Sequence, residues 1–338
     1  MASEYSEQLI RQKWEELEKK CTLVTETYQR SYQRLDLEQE NGIRLSYVSP
    51  GCVWELLIEA GDFDEKVVID FPKWKGMEFD VLVLDVPSKD TRHINFYLEK
   101  REHRDIFVSV CRDLIQGLDC CLTNESRRAE ISDFLTRWNR FFEHYGQEGL
   151  SPEKQRGLYG ELWWLRRMIN ANINLSVIVN SWKGCKRGYH DFEIGSNVIE
   201  VKTTMTKEPR RILINNERQL NDLALDSLHL FVLTLRKIDE GGDTLPGIIE
   251  SIRNSFAGKS SEYSFEHALM DAGYIDIHAY IYKSSYSVIK EDFFHVQEGF
   301  PRIIDAPQGI GDLHYSVVLA ACEEFRCDID TYMQNIGV

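Results

Sequence analysis

The chain has 338 residues, 43% of them hydrophobic and 28% charged, enough to bury a large core in two or three domains without a disulfide or structural metal. Its formal net charge of −15 excludes a protein that coats nucleic acid over its whole surface, because such binding needs cationic groups that displace counterions from phosphate. No stretch approaches the roughly 18 apolar residues of a membrane span, and the charged N-terminus MASEYSEQLIRQKWEELEKK has no apolar signal core.

Residues 1–150 form an N-terminal α+β region. A charged helix opens it, VWELLIEA, KVVIDF, FDVLVLDV and INFYLEK read as strands, and two amphipathic helices follow. Phe107, Cys111, Leu114 and Leu118 make the stripe of the first of these, and Ile131, Leu135, Trp138 and Phe142 that of the second. Such stripes are core and carry no chemistry. The eight cysteines show no CxxC spacing with histidines and mostly sit in apolar runs, so we expect reduced core thiols and a cytoplasmic protein.

Residues 151–240 open at Ser151-Pro152-Glu153, a capping serine followed by proline at the first helical position, and predict a helix to about Asn170. LSVIVNSW, YHDFEI, VIEVKTT and RRILIN are candidate strands, ERQLNDLALDSL a helix and HLFVLTL a buried strand. Past the turn-forming GGDTLPG, residues 241–338 form a β-rich C-terminal extension. It has a helix near Glu262 to Asp271 and period-two runs IDIHAYIY, YSVIKEDFFHV and LHYSVVLA.

HDFEIGSNVIEVKTT raises the question of chemistry. Side chains alternate along a strand, so Asp191 and Glu193 share one face, as do Glu200 and Lys202, with Gly195-Ser196-Asn197 as the turn. In the obvious register Asp191, Glu200 and Lys202 converge. Close carboxylates need a shared cation or proton, and hard oxygen ligands favour Mg²⁺ or Mn²⁺; a solvated hairpin with cross-strand ion pairs would have the same sequence. The preceding helix adds Glu161, which lies inside the apolar arc of Leu158, Leu162, Leu165 and Ile169, extended by Trp164 and Met168. A core-facing carboxylate needs a partner, a site cation or a core tyrosine or arginine. Gly157 and Gly160 weaken this helix, which makes sense if it packs closely on a sheet. Around the hairpin, residues 183–218 hold eight basic against five acidic side chains, leaving −18 for the remainder.

Glu161 on a helix, Asp191, then Glu200-Val201-Lys202 and a helix bearing Gln219 resemble the PD-(D/E)XK nuclease superfamily. More narrowly, RGLYGELWWL, the W-K-G of 182–184, HDFEI, VIEVKTT, NNERQL, GYIDIHAYIY and EGFPRI resemble PD-(D/E)XK proteins of unknown function in bacterial restriction and phage-defence operons. His190 replaces the proline of the motif's name and, having the parity of the apolar face, reads as a packed histidine. The resemblance implies an α+β fold with an α/β core, a restriction-endonuclease-like mixed sheet flanked by helices in α-β-β-β-α-β order. It implies a Mg²⁺-dependent DNA endonuclease, with Mn²⁺ able to substitute, that leaves a 5′-phosphate and a 3′-hydroxyl. Asp191, Glu200 and the carbonyl of Val201 would bind the metal, Lys202 would position water and stabilise the phosphate, Glu161 would hold a second metal or its water, and Gln219 would assist positioning. Lys183, Lys186, Arg187, Lys207, Arg210 and Arg211 are phosphate-contact candidates from charge and proximity. The expected partners are DNA and other subunits of a defence operon, an ATPase or methyltransferase, with a homodimer as a further option and no membrane. The alternative is a non-catalytic DNA-binding or assembly subunit on the same fold.

Overall fold

A computed structural model describes residues 6–21, 28–35, 42–60, 74, 76–145, 149–184, 190–223, 225–239, 241–304 and 312–336. The expected strand KVVIDF lies outside them. Contacts divide the chain into two compact units, 1–147 and 148–338.

In the first unit helix α1 (Glu7–Cys21) precedes β1 (Gln29–Arg34), β2 (Ile43–Ser49), β3 (Val53–Glu59), β4 (Met77–Leu84) and β5 (Thr91–Leu98). Helices α2 (Arg104–Asp119) and α3 (Asn124–Tyr145) follow. The strands form one antiparallel sheet in the order β1-β2-β3-β5-β4. Its apolar face meets the helices through aromatic packing: Trp14 stacks on Trp54 at 5.1 Å, and Phe107 lies 4.8 Å from Phe96. Buried Trp14 also donates its indole N–H to the carbonyls of Ser46 and Glu55, which ties α1 to the β2–β3 hairpin. Along α3 the buried line is Ile131, Phe134, Trp138 and Phe141, with Leu135 and Phe142 at its margin.

The second unit begins with α4 (Pro152–Asn170), capped as expected by Ser151, whose hydroxyl accepts from the Lys154 N–H. Then come α5 (Leu175–Ser181), β6 (Phe192–Ile194), β7 (Asn197–Thr204), β8 (Arg211–Ile214) and β9 (Ser227–Ile238). β10 (Asp243–Thr244), α6 (Leu245–Phe256), α7 (Glu262–Asp271), β11 (Ser285–Val296), β12 (Tyr315–Val318) and α8 (Ile329–Ile336) complete it. The main sheet has the order β10-β11-β9-β7-β6 and is mixed: β7 runs parallel to β9, and its other neighbours pair antiparallel. β8 and β12 form a separate two-stranded ribbon. Because β11 pairs along its length with β9, the sheet runs across residue 240, where the sequence suggested a boundary.

Helix α4 covers one sheet face, where Trp164 lies 4.9 Å from Phe231 and 5.5 Å from Phe293. The ribbon covers the other, with Ile212, Ile214 and Val317 packed against Val198, Leu228, Leu230 and Val232. The helices and mixed sheet give the expected α+β class, but several elements differ from their sequence patterns. LSVIVNSW is the helix α5 rather than a strand, started by Asn174, whose side chain accepts from the Ser176 N–H. The helix expected over 217–228 is a single 3₁₀ segment, Glu217–Leu220, and β9 already begins at Ser227. IDIHAYIY is a 3₁₀ segment over Asp276–Ile281. GGDTLPG leads into α6, for which Thr244 is the N-cap and Pro246 stands in the first turn.

Candidate metal and nuclease centre

The hairpin has the register that alternation requires. Phe192 pairs with Ile199, Glu193 with Val198 and Ile194 with Asn197, so the next position places Asp191 opposite Glu200, on the same face. Asp191 stands just before β6 and is held twice. Its Oδ2 accepts the Val201 N–H at 2.8 Å, and its carbonyl accepts the N–H groups of Lys183 and Gly184 at 2.8 and 3.2 Å.

Glu200 is only 2% exposed. Its Oε1 lies 2.8 Å from the Lys202 ammonium, two residues on along β7. Lys202 also donates to Gln219 Oε1 at 3.1 Å, and the same oxygen accepts the Asn215 N–H at 2.9 Å. Two donors on one oxygen settle which end of the Gln219 amide faces inward. Its NH₂ end faces away from them. The 3₁₀ segment that carries Gln219 is seated by Asn216, whose side chain accepts the N–H groups of Arg218 and Gln219.

Glu161 comes from α4. Its neighbour Gly160 touches β7 so closely that a Cβ there would lie 2.5 Å from Thr203 Cγ2, whereas a Cβ on Gly157 would meet nothing within 4 Å. The close-packing reason therefore holds for Gly160 alone. The partner of Glu161 is neither tyrosine nor arginine: the Trp182 indole N–H donates to its Oε2 at 2.8 Å. The tryptophan could not be paired with Glu161 from spacing, since 21 residues separate them.

Burial pushes the Glu161 carboxyl up to about 8, with the nearby Asp191 and then Glu200 carboxylates adding to the rise. Burial, then Asp191, likewise raises Glu200 to about 8. Asp191 is raised by burial too, against the pull of Lys202 and the Val201 N–H. Burial disfavours the Lys202 ammonium, but Glu200 and Asp191 outweigh it and hold the group above its ordinary value. Three acids, Glu200 buried and Glu161 and Asp191 half-buried, thus share the one ammonium of Lys202. That imbalance fits a divalent ion held by one or two of the carboxylates, whose charge would favour their ionised forms. Among the described residues no three His, Cys, Asp or Glu side chains gather about one point. Mg²⁺ does not require that, since it is commonly held by one or two carboxylates with water and phosphate oxygens completing its octahedron.

The basic residues are placed unevenly. Lys207 and Arg211 are exposed, and Lys183 donates to the Asn180 carbonyl at the end of α5. Arg210 turns inward to Thr234 and to fully buried Asp292, with Glu208 at its other side. Lys186 and Arg187 lie outside the described residues. His190 is buried, and burial lowers its pKa, as expected of a packed histidine.

The chain matches, over residues 10–320, the model of a family described as "Putative PD-(D/E)XK family member (DUF4420)". No curated protein and no solved structure matches it.

Proposed function

The chain belongs to this PD-(D/E)XK family, and on that footing we propose that it is a Mg²⁺-dependent DNA endonuclease serving a bacterial restriction or anti-phage system. The observation that carries the reading is the set of contacts that seats Asp191 on the Val201 N–H and joins Glu200, Lys202 and Gln219 along β7 and a 3₁₀ turn, with the Glu161 carboxyl raised by burial and by Asp191 and Glu200 nearby. A divalent ion at Asp191, Glu200 and the Val201 carbonyl, with Glu161 close by, would supply Lewis acidity toward a phosphodiester. Lys202, held as an ammonium by Glu200, offers protons to the attacking water's oxygen and to the developing phosphate charge. Gln219 fixes where that ammonium points. Water adds to phosphorus and releases a proton to solvent, the bond to O3′ breaks and O3′ takes a proton from solvent, so the products are a 5′-phosphate and a 3′-hydroxyl. The net charge of −15 favours a partner that supplies part of the DNA affinity. Among the described residues no helix is long and apolar enough to cross a membrane.

The test is nicking of supercoiled plasmid with Mg²⁺ or Mn²⁺ by wild type, Asp191→Ala, Glu200→Ala and Lys202→Ala. Cutting by the wild type that each substitution lowers by at least about a hundredfold, as loss of one electrostatic transition-state group does, is the expected result. Equal cutting by all four proteins would refute it.

A further inference from the structure

We propose that Trp182 is a positioning residue of the candidate metal centre, its indole N–H holding Glu161 in the orientation that presents the second carboxylate oxygen to a divalent ion or its water. The proposal rests on the metal reading of Asp191 and Glu200.

Trp182 directly follows α5, is 3% exposed, and its ring runs nearly parallel to that of Phe192 at 6.5 Å, with Phe265 at 6.2 Å. A ring bounded on two sides cannot swing its N–H elsewhere. That N–H meets Glu161 Oε2 at 2.8 Å, while no hydrogen bond reaches Oε1 among the described residues. An indole nitrogen only donates and does not titrate in the ordinary range. It therefore stabilises the ionised carboxylate without competing for a cation, as the outer partners of metal ligands do.

Gly184 adds an independent constraint. Its φ is +21°, and a Cβ there would lie 2.8 Å from Trp182 Nε1 and 2.9 Å from Glu161 Oε2. The backbone thus passes close over the hydrogen bond, an approach open only to glycine. The same short segment reaches the other carboxylate. Trp182 forms a bridge with Phe192, and the N–H groups of Lys183 and Gly184 both end on the Asp191 carbonyl. Residues 182–184 therefore fix one acid contributed by a helix and another that stands just before strand β6. If Glu161 were only a satisfied core carboxylate, removing the indole donor of Trp182 would leave metal binding unchanged.

The experiment is calorimetric titration of Mn²⁺ into the full chain without DNA, for wild type, Trp182→Phe, Glu161→Gln, the double variant, Gly184→Ala and Asp191→Ala. Trp182→Phe keeps the aromatic packing and removes the donor. It and Glu161→Gln should each weaken Mn²⁺ binding by about 10- to 100-fold, and the double variant should be no weaker than Glu161→Gln alone. Wild-type affinity in Trp182→Phe, or full additivity in the double variant, overturns the proposal. Should Trp182→Phe fail to fold, Gly184→Ala in the wild-type and Glu161→Gln backgrounds decides, because its methyl group intrudes on the same hydrogen bond with the indole retained: weakening that disappears in the Glu161→Gln background supports the proposal, and equal weakening in both backgrounds, or none, overturns it. Wild-type affinity in Asp191→Ala would instead sink the metal reading itself, a separate failure.

Discussion

Glu161 and Glu200 hold their protons to about 8, against an ordinary value of 4.5. Between those limits the folded chain binds protons that the unfolded chain has already released, so these groups make stability fall as pH rises through the window. Lys202, also raised, acts only above its ordinary 10.5 and leaves that window untouched. The difference in melting temperature between metal-free wild type and Glu200→Gln should therefore widen, to the disadvantage of the wild type, from about pH 5 to about pH 8. Mg²⁺ should raise the wild-type value most at the alkaline end, where it displaces fewer protons. Differential scanning fluorimetry across that range is the check, and a pH-independent difference would contradict the carboxyl assignment. Asp191, Glu200 and Lys202 were legible as a group because a period of two forces them to one face. Trp182 was not, because its partnership with Glu161 arises only when α5 and the segment after it fold back beside α4.

Helix α4 and strand β7 meet at Gly160, and that contact sets how Glu161 stands against the hairpin. Gly160→Ala would drive a methyl to 2.5 Å from Thr203 Cγ2 and should cost about 1–3 kcal/mol through overpacking, with nicking activity falling as Glu161 shifts. Gly157→Ala meets open space and should stabilise by up to about 1 kcal/mol through helix propensity alone. Urea unfolding of the two variants separates these outcomes, and a stabilised Gly160→Ala would show that the contact is loose. The helix itself was readable from Ser151 and Pro152. Elements whose local chemistry conflicts with their apolar pattern were not. LSVIVNSW has strand composition, yet Asn174 caps it as a helix. The Gly-Gly and Pro of GGDTLPG signal a turn, but Pro246 is equally at home in the first turn of α6.

The chain is acidic overall, so its affinity for phosphate depends on where its cations lie, and Lys207 and Arg211, which follow strand β7, are exposed. Each phosphate contact steepens the dependence of log affinity on log salt by about 0.9. Replacing both residues by alanine should therefore flatten the slope for duplex DNA by about 2, read by fluorescence anisotropy between low and physiological salt. An unchanged slope would remove them from the DNA path. The outer side of β11 bears on another property of the whole chain. Two pairs with β10 close one end, the Phe294–Arg326 bridge closes the other, and between them the strand is bulged at Val288–Lys290, where Lys290 meets the buried Asp292. Fibrillar stacking needs a straight, uncharged run of about six free ladder positions. Here a kink and a cation interrupt that run, so a concentrated solution of the folded protein is guarded on this flank against end-to-end sheet growth.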